Sequence, residues 1–165
     1  MLAVLHQVAA EDCSEKVNLV LEELENLQHA SGGICEPEIK LVVHDEAGVG
    51  IGDGSDRIAD LLYVNNYVFA ALGILKRTRN PFTIDVQRAT RIHSRLLEFL
   101  LNVQIRETDG RFNGGWMRAY DLEHNEYYGL NKDKDWGASC IMGGWVMGYI
   151  PLAIMHELGE MSLFA

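Results

Sequence analysis

The chain has 165 residues, 48% of them hydrophobic, and a formal net charge of −10. That length suits one domain, residues 1–165, which can bury about two-thirds of the surface that the unfolded chain exposes. The acidic balance disfavours nucleic acid as a partner, because phosphate binding depends on clustered Lys and Arg, and no run approaches the roughly 20 apolar residues of a membrane span.

The first main helix is predicted at residues 13–30. The residues before it lack the positive start of a signal peptide, so we expect a soluble protein without a visible targeting segment. Asp12 and Glu15 have the spacing of a capping box, and Gly32 with Gly33 ends the helix through left-handed geometry. The apolar stripe of the helix consists of Val17, Val20, Leu21, Leu24 and Leu27.

A second helix follows a glycine-rich segment, residues 35–54, which is expected to be a loop. The helix runs from residue 55 or 56 to about residue 77. Asn65 and Asn66 interrupt its apolar face. A buried Asn needs hydrogen-bond partners, so we expect satisfied structural asparagines, with a polar cavity beside one of the two as the alternative.

The third helix is predicted to start where Asn80 caps and Pro81 occupies the first turn, and to run to about Arg106. His93 lies in its middle without a second ligand at helical spacing, which favours a solvent-facing or hydrogen-bonded histidine over a metal site. The core side of this helix consists of Ile92, Leu96, Phe99, Leu100 and Val103. A fourth helix is expected from near Asp135 to Met155 or beyond.

Helices one and three end alike, which predicts successive α-hairpins. Each carries a leucine-rich stripe, then a glutamine, Gln28 or Gln104, and then a glycine-rich exit. Stacked units of this kind bury apolar faces that no single unit can bury alone, and their long connections gather at one end. The expected fold class is therefore all-α, with stacked α-hairpins and long loops at one end.

The stretch 110–148 differs most from ordinary helical sequence, since it holds Trp116, Trp136 and Trp145 together with many glycines. Its two halves, GGWMRAYDLEHNEYYG and NKDKDWGASCIMGGWV, resemble segments of bacterial (α/α)-toroid proteins of the six-hairpin glycosidase type. The positions that carry this resemblance are Arg118, Ala119, Tyr120, Asp121, Tyr128, Gly129, Asp133, Trp136, Gly137, Gly144 and Trp145.

The resemblance implies a partial (α/α) toroid and a carbohydrate-related function. A complete toroid has more helices than the four that the periodicity predicts, so we expect a fragment of a larger enzyme, or a partial toroid completed by a homo-oligomer or another chain. Met142 and Ser139 stand where the family pattern has an acidic residue and an aromatic residue. This departure puts a catalytic role in doubt.

Sugar sites combine aromatic platforms with carboxylates and an arginine that bond hydroxyls. Arg118 is the candidate arginine, with a planar fork for a carboxylate or a hydroxyl pair. Asp121 and Asp135 are the predicted catalytic acid and base, with Glu126 and Asp133 as substitutes, and Glu126 is also a substrate-binding candidate. The predicted platforms are Trp116, Tyr127, Tyr128 and Trp136. Structural roles compete with these assignments: Asp135 could cap helix four, and Arg118 could pair with Asp121.

Two classes of function remain. The first is a glycoside hydrolase or polysaccharide lyase, or part of one, and the alternative is a noncatalytic helical module that binds glycan or protein. Neither needs a cofactor. No metal is expected, because His124 and His156 lack partners at useful spacing. The cysteines Cys13, Cys35 and Cys140 are too scattered for a zinc site or a disulfide framework and are expected to be buried thiols.

Overall fold

The computed structural model describes residues 12–35, 58–77, 83–110, 113–128 and 144–159. These ranges contain four α-helices and a three-stranded antiparallel sheet. In chain order the elements are α1 (Ser14–Leu27), β1 (Ile58–Asp60), a π-helix (Leu61–Asn65), α2 (Asn66–Arg77), α3 (Val86–Asn102), β2 (Ala119–Asp121), β3 (Glu126–Tyr128) and α4 (Gly144–Leu158).

The sheet shows that the prediction of an all-α fold of stacked α-hairpins was wrong, and the fold is mixed. Strand β2 lies in the centre of the sheet, pairing Tyr120 with Ala59 of β1 on one side and with Tyr127 of β3 on the other. Each strand is only three residues long. Three residues are too few for an alternating pattern to stand out, and the first pairing joins distant parts of the sequence.

The helices bury one continuous apolar core. Helix α2 packs against α3 and α4, and α1 packs against α3. The predicted stripe of helix three is confirmed, because Ile92, Leu96 and Leu100 are fully buried. Helix one is confirmed in part: Val17 and Leu21 are buried, whereas Val20 is 48% exposed. None of the helices in the described ranges combines the length and the apolar character that a membrane span requires.

Helices two and three begin later than predicted. The start of predicted helix two is instead β1 and the π-helix, and the α-helical part begins at Asn66. Helix three begins at Val86, because Asp85 rather than Asn80 is its N-cap, and the Asp85 side chain accepts the amide hydrogen of Arg88. It ends at Asn102, before the predicted Arg106. Asn80, Pro81 and the predicted start of helix four at Asp135 lie outside the described residues.

Asn65 joins two distant segments of the chain. Its side-chain oxygen accepts from the amide of Ile34 at 2.8 Å, and its nitrogen donates to the carbonyls of Ile34 at 2.9 Å and Asp60 at 2.8 Å. Asn65 is fully buried, so each of these bonds replaces one to water. This confirms the expectation of a satisfied structural asparagine and ties β1 to the turn after α1.

Candidate functional site

A cleft of about 570 Å³ lies between the end of α3 and the β2–β3 hairpin. One wall is formed by residues 102–107 and Asp109, and the other by Met117, Tyr120 and residues 125–127. This volume lies within the range of about 300–1,000 Å³ that is usual for small-molecule sites. The cleft brings a helix end, a loop and a hairpin to one place, which makes it the candidate site.

The first wall is held in place by hydrogen bonds between the segment that follows α3 and residues 114–115. The amide of Ile105 donates to the carbonyl of Gly115 at 2.9 Å, and the amide of Gly114 donates back to the carbonyl of Ile105 at 2.8 Å. The side chain of Gln104 also donates to the carbonyl of Gly114, at 2.8 Å. Val103 and Ile105 are buried, whereas the flanking residues Asn102 and Arg106 are exposed and line the cleft.

The second wall depends on a tight turn between β2 and β3. One carboxylate oxygen of Asp121 accepts from the amides of Glu123 and His124, each at 3.0 Å, and its other oxygen lies 3.0 Å from Nδ1 of His124. Asx side chains commonly hold turns in this way. At the end of the turn, Asn125 has a φ of 54°, a left-handed conformation that asparagine tolerates better than most residues.

An aromatic pair forms the floor of the cleft on the hairpin side. The rings of Tyr120 and Tyr127 meet edge to face with their centroids 5.3 Å apart, and Tyr120 packs in the same manner on Phe99 of α3 at 6.0 Å. Burial, and secondly the neighbouring Tyr120, raises the pKa of the Tyr127 phenol above its ordinary value. The phenol of Tyr127 therefore stays neutral, and its ring packs on Tyr120.

Several polar side chains of the cleft make no hydrogen bond or ion pair within the part of the chain that the structure describes. The exposed ones are Asn102, Arg106, Glu107, Asn125 and Glu126. They offer amide donors and acceptors, two carboxylates and a guanidinium. Such groups can bind a polar ligand without first breaking a contact that the fold needs.

Of the predicted site residues whose side chains the structure describes, Glu126 and Tyr127 line the cleft. Trp116 instead lies in the core, 2% exposed, where its indole nitrogen donates to the carbonyl of Leu100 at 2.7 Å. Asp121 is also 2% exposed, and its carboxylate holds the turn. Arg118 is half-buried just before β2, and its carbonyl accepts the amide hydrogen of Leu61 at 2.7 Å.

The remaining predicted site residues cannot be placed relative to the cleft. Tyr128 pairs with Ala119 in the sheet, but only its backbone is described. Asp135 and Trp136 lie outside the described residues. The catalytic assignment of Asp121 with Asp135 consequently stays a prediction.

Sequence reasoning missed Asn102, which fell within the predicted third helix, and Glu107, which follows the predicted end of that helix at about Arg106. The local signal for an earlier helix end was present: the sequence after Asn102 reads VQIRETDG, with β-branched residues at 103 and 105 and an Asp-Gly turn signature at its end. Asn125 was also missed. An asparagine four residues after Asp121, between two short tyrosine-bearing segments, is typical of a hairpin turn.

Within the described ranges, no group of three or more His, Cys, Asp and Glu side chains is arranged to hold a metal ion. Cys13 and Cys35 are buried, as predicted, whereas Cys140 lies outside these ranges. No protein-family model, curated protein or solved structure matches the chain. The resemblance to toroid glycosidases therefore stays a prediction.

Proposed function

We propose that the chain binds a carbohydrate in the cleft between the end of α3 and the β2–β3 hairpin. The observation that carries this proposal is the combination of an aromatic pair with exposed polar side chains that have no partner in the described structure. A sugar hydroxyl both donates and accepts hydrogen bonds, and the amides of Asn102 and Asn125 offer both groups side by side. The CH-rich face of a pyranose packs on aromatic carbon.

The charge of the cleft supports a carbohydrate over a phosphorylated ligand. Among the described residues that line it, Glu107, Asp109 and Glu126 are acidic and Arg106 is basic. The whole chain is also acidic, with a formal charge of −10. A phosphate group would meet a repulsive field here, whereas neutral sugar hydroxyls can use carboxylates as acceptors.

The proposal concerns binding, and hydrolysis would be a further property. Glycoside hydrolysis generally needs two carboxyl groups across the scissile bond. Of the two predicted catalytic residues, Asp121 is engaged in the turn and Asp135 lies outside the described residues. A noncatalytic glycan-binding module is therefore the form of the proposal that the described residues support.

Binding is tested by calorimetry of the full chain against a panel of neutral, basic and acidic oligosaccharides, with product analysis of the same mixtures. We expect at least one saturable interaction, which Tyr127→Ala weakens. Tyr67→Ala is the matched control, because Tyr67 is exposed on α2 and does not line the cleft. The proposal fails if no sugar binds at millimolar concentration, or if both variants bind as the unmodified chain does.

A further inference from the structure

A second polar cluster lies among the helices and is not part of the cleft. It joins Lys76 of α2, His93 of α3 and Glu157 of α4. The Lys76 ammonium donates to Oε1 of Glu157 at 2.5 Å and lies 3.3 Å from Nδ1 of His93. His93 is only 1% exposed and stacks on Phe69, with ring centroids 4.4 Å apart.

The lysine determines which nitrogen of His93 carries the proton. An ammonium group has only donors, so the contact with Lys76 requires that Nδ1 of His93 accept. Burial, followed by the neighbouring Lys76 charge, lowers the pKa of His93 to about 4, which keeps the ring neutral near pH 7. A neutral ring that accepts at Nδ1 carries its hydrogen on Nε2. His93 therefore presents a buried donor on the side facing Glu157.

That donor lies near a carboxylate oxygen but does not reach it. Nε2 of His93 and Oε2 of Glu157 are 3.7 Å apart, beyond the usual hydrogen-bond distance. Both atoms are buried without a hydrogen-bond partner in the described structure. Buried polar atoms of this kind are commonly satisfied by an ordered water.

Gly73 of α2 leaves room beside these two atoms. A Cβ atom built on Gly73 would lie 3.6 Å from Nε2 of His93 and 3.8 Å from Oε2 of Glu157, with no closer neighbour. Any larger side chain at this position would project towards the gap between them. The glycine thus provides space that is bounded by a donor on one helix and an acceptor on another.

We propose that this space is the binding site of one water molecule, which accepts from Nε2–H of His93 and donates to Oε2 of Glu157. The pairing selects the ligand by its chemistry. A metal cation cannot accept the imidazole hydrogen, and an anion would be repelled by the Glu157 carboxylate. A water molecule can accept one hydrogen bond and donate another, and it is small enough for the space beside Gly73. It would link His93 of α3 to Glu157 of α4.

A crystal structure of the full chain tests the site, and Gly73→Ala is the companion variant. We expect an ordered water within about 3.2 Å of both atoms in the unmodified chain, and loss of that water in Gly73→Ala. A direct bond between His93 and Glu157, or an empty gap, would overturn the proposal. A water that persists in the alanine variant would overturn the role assigned to Gly73.

Solution NMR provides a second measurement on the unmodified chain. The ring nitrogen shifts of His93 should report the form with hydrogen on Nε2, and a water resonance should show a dipolar contact with the α-protons of Gly73. The opposite tautomer would contradict the proposal, because Nε2 would then be an acceptor facing a carboxylate. Absence of the water contact would contradict it as well.

Discussion

The two polar clusters of this molecule differ in what surrounds their side chains. In the cleft, the amides of Asn102 and Asn125 are exposed and have no partner in the described structure. Between the helices, His93 is buried, and Lys76 is bonded to Glu157. The exposed amides of the cleft are available to a ligand, whereas the ion pair between Lys76 and Glu157 holds α2 against α4. Substitutions in the cleft should therefore change binding, and those between the helices should change stability.

The largest expected effect is the response of the helix cluster to acid. The folded pKa of His93 is about 4, against an ordinary value of 6.5, so the unfolded chain takes up a proton between these values while the folded chain does not. Stability from this group is complete above pH 6.5 and falls as the pH decreases towards 4. Because 6.5 − 4 = 2.5, the loss amounts to about 3 kcal/mol.

Urea unfolding at a series of pH values measures this loss, and His93→Phe is the control because it keeps a ring on Phe69 and removes the titration. The difference in free energy of unfolding between the two proteins should change only as the pH falls from 6.5 to 4. Glu157 affects stability at lower pH than His93 does. Burial raises the pKa of the Glu157 carboxyl, but the hydrogen bond from Lys76 and the nearby positive charges outweigh burial, so the net pKa is lowered. Its contribution is lost below its ordinary value of 4.5. Parallel curves for both proteins would show that His93 is not held neutral by the fold.

Asp121 is buried, as the helix cluster is, but its carboxylate holds the hairpin that forms a wall of the cleft. Substitutions at Asp121 can therefore affect both stability and binding. Asp121→Ala removes the acceptor for two turn amides and should cost about 2 kcal/mol. Asp121→Asn retains an acceptor oxygen and should cost less than about 1 kcal/mol. Denaturant unfolding measures both variants.

The same asparagine variant separates binding from catalysis. If an oligosaccharide is hydrolysed, loss of turnover with retained binding in Asp121→Asn would support the predicted acid–base role. Retained turnover would exclude it. Equal destabilisation by alanine and asparagine would show that the turn does not depend on the acceptor oxygen.

Asn102 should affect ligand binding alone. It is the last residue of α3 and is exposed, and alanine is a strong helix former, so Asn102→Ala should change stability by less than about 0.5 kcal/mol. Loss of one hydrogen bond to a sugar should weaken binding about fivefold, or about 1 kcal/mol. Glu98→Ala, exposed on α3 outside the cleft lining, is the control for calorimetry. Similar affinities for the two variants would remove Asn102 from the site.

The helices could be predicted from sequence because their signal is local and repeated. Ile92, Leu96 and Leu100 recur along one face, and all three are buried. The sheet could not be predicted in the same way: β1 pairs Ile58 with Asp121, which lie far apart in the chain. The pairing depends on how the helices bring the segments together, which no short window of sequence contains.

The candidate site was only partly predictable for a related reason. Residue type indicated that aromatic and acidic residues of 110–148 were available, but packing decided which of them reach the surface. Trp116 is buried in the core, where its indole nitrogen bonds to the carbonyl of Leu100, whereas Tyr127 lines the cleft. Asn102 contributes because α3 ends there, and the apolar periodicity had extended that helix past it.

Asn125 allows effects on stability and on binding to be measured separately. Its backbone conformation forms the hairpin turn, whereas its side-chain amide is proposed to bind the ligand. Its φ of 54° is unfavourable for most side chains. Asn125→Ala should therefore cost about 1 kcal/mol of stability. Asn125→Gly should stay within about 0.5 kcal/mol, since the freedom that glycine adds to the unfolded chain offsets the relief of the backbone.

Both Asn125 variants lose the amide, so both should weaken sugar binding to the same extent, about fivefold. Unfolding and calorimetry on this pair distinguish two origins of any binding defect. If only the alanine variant binds poorly, the hairpin conformation rather than the amide determines affinity. If the glycine variant binds equally poorly while remaining as stable as the unmodified chain, the amide of Asn125 contacts the ligand, and the cleft is independent of the contacts that hold the fold.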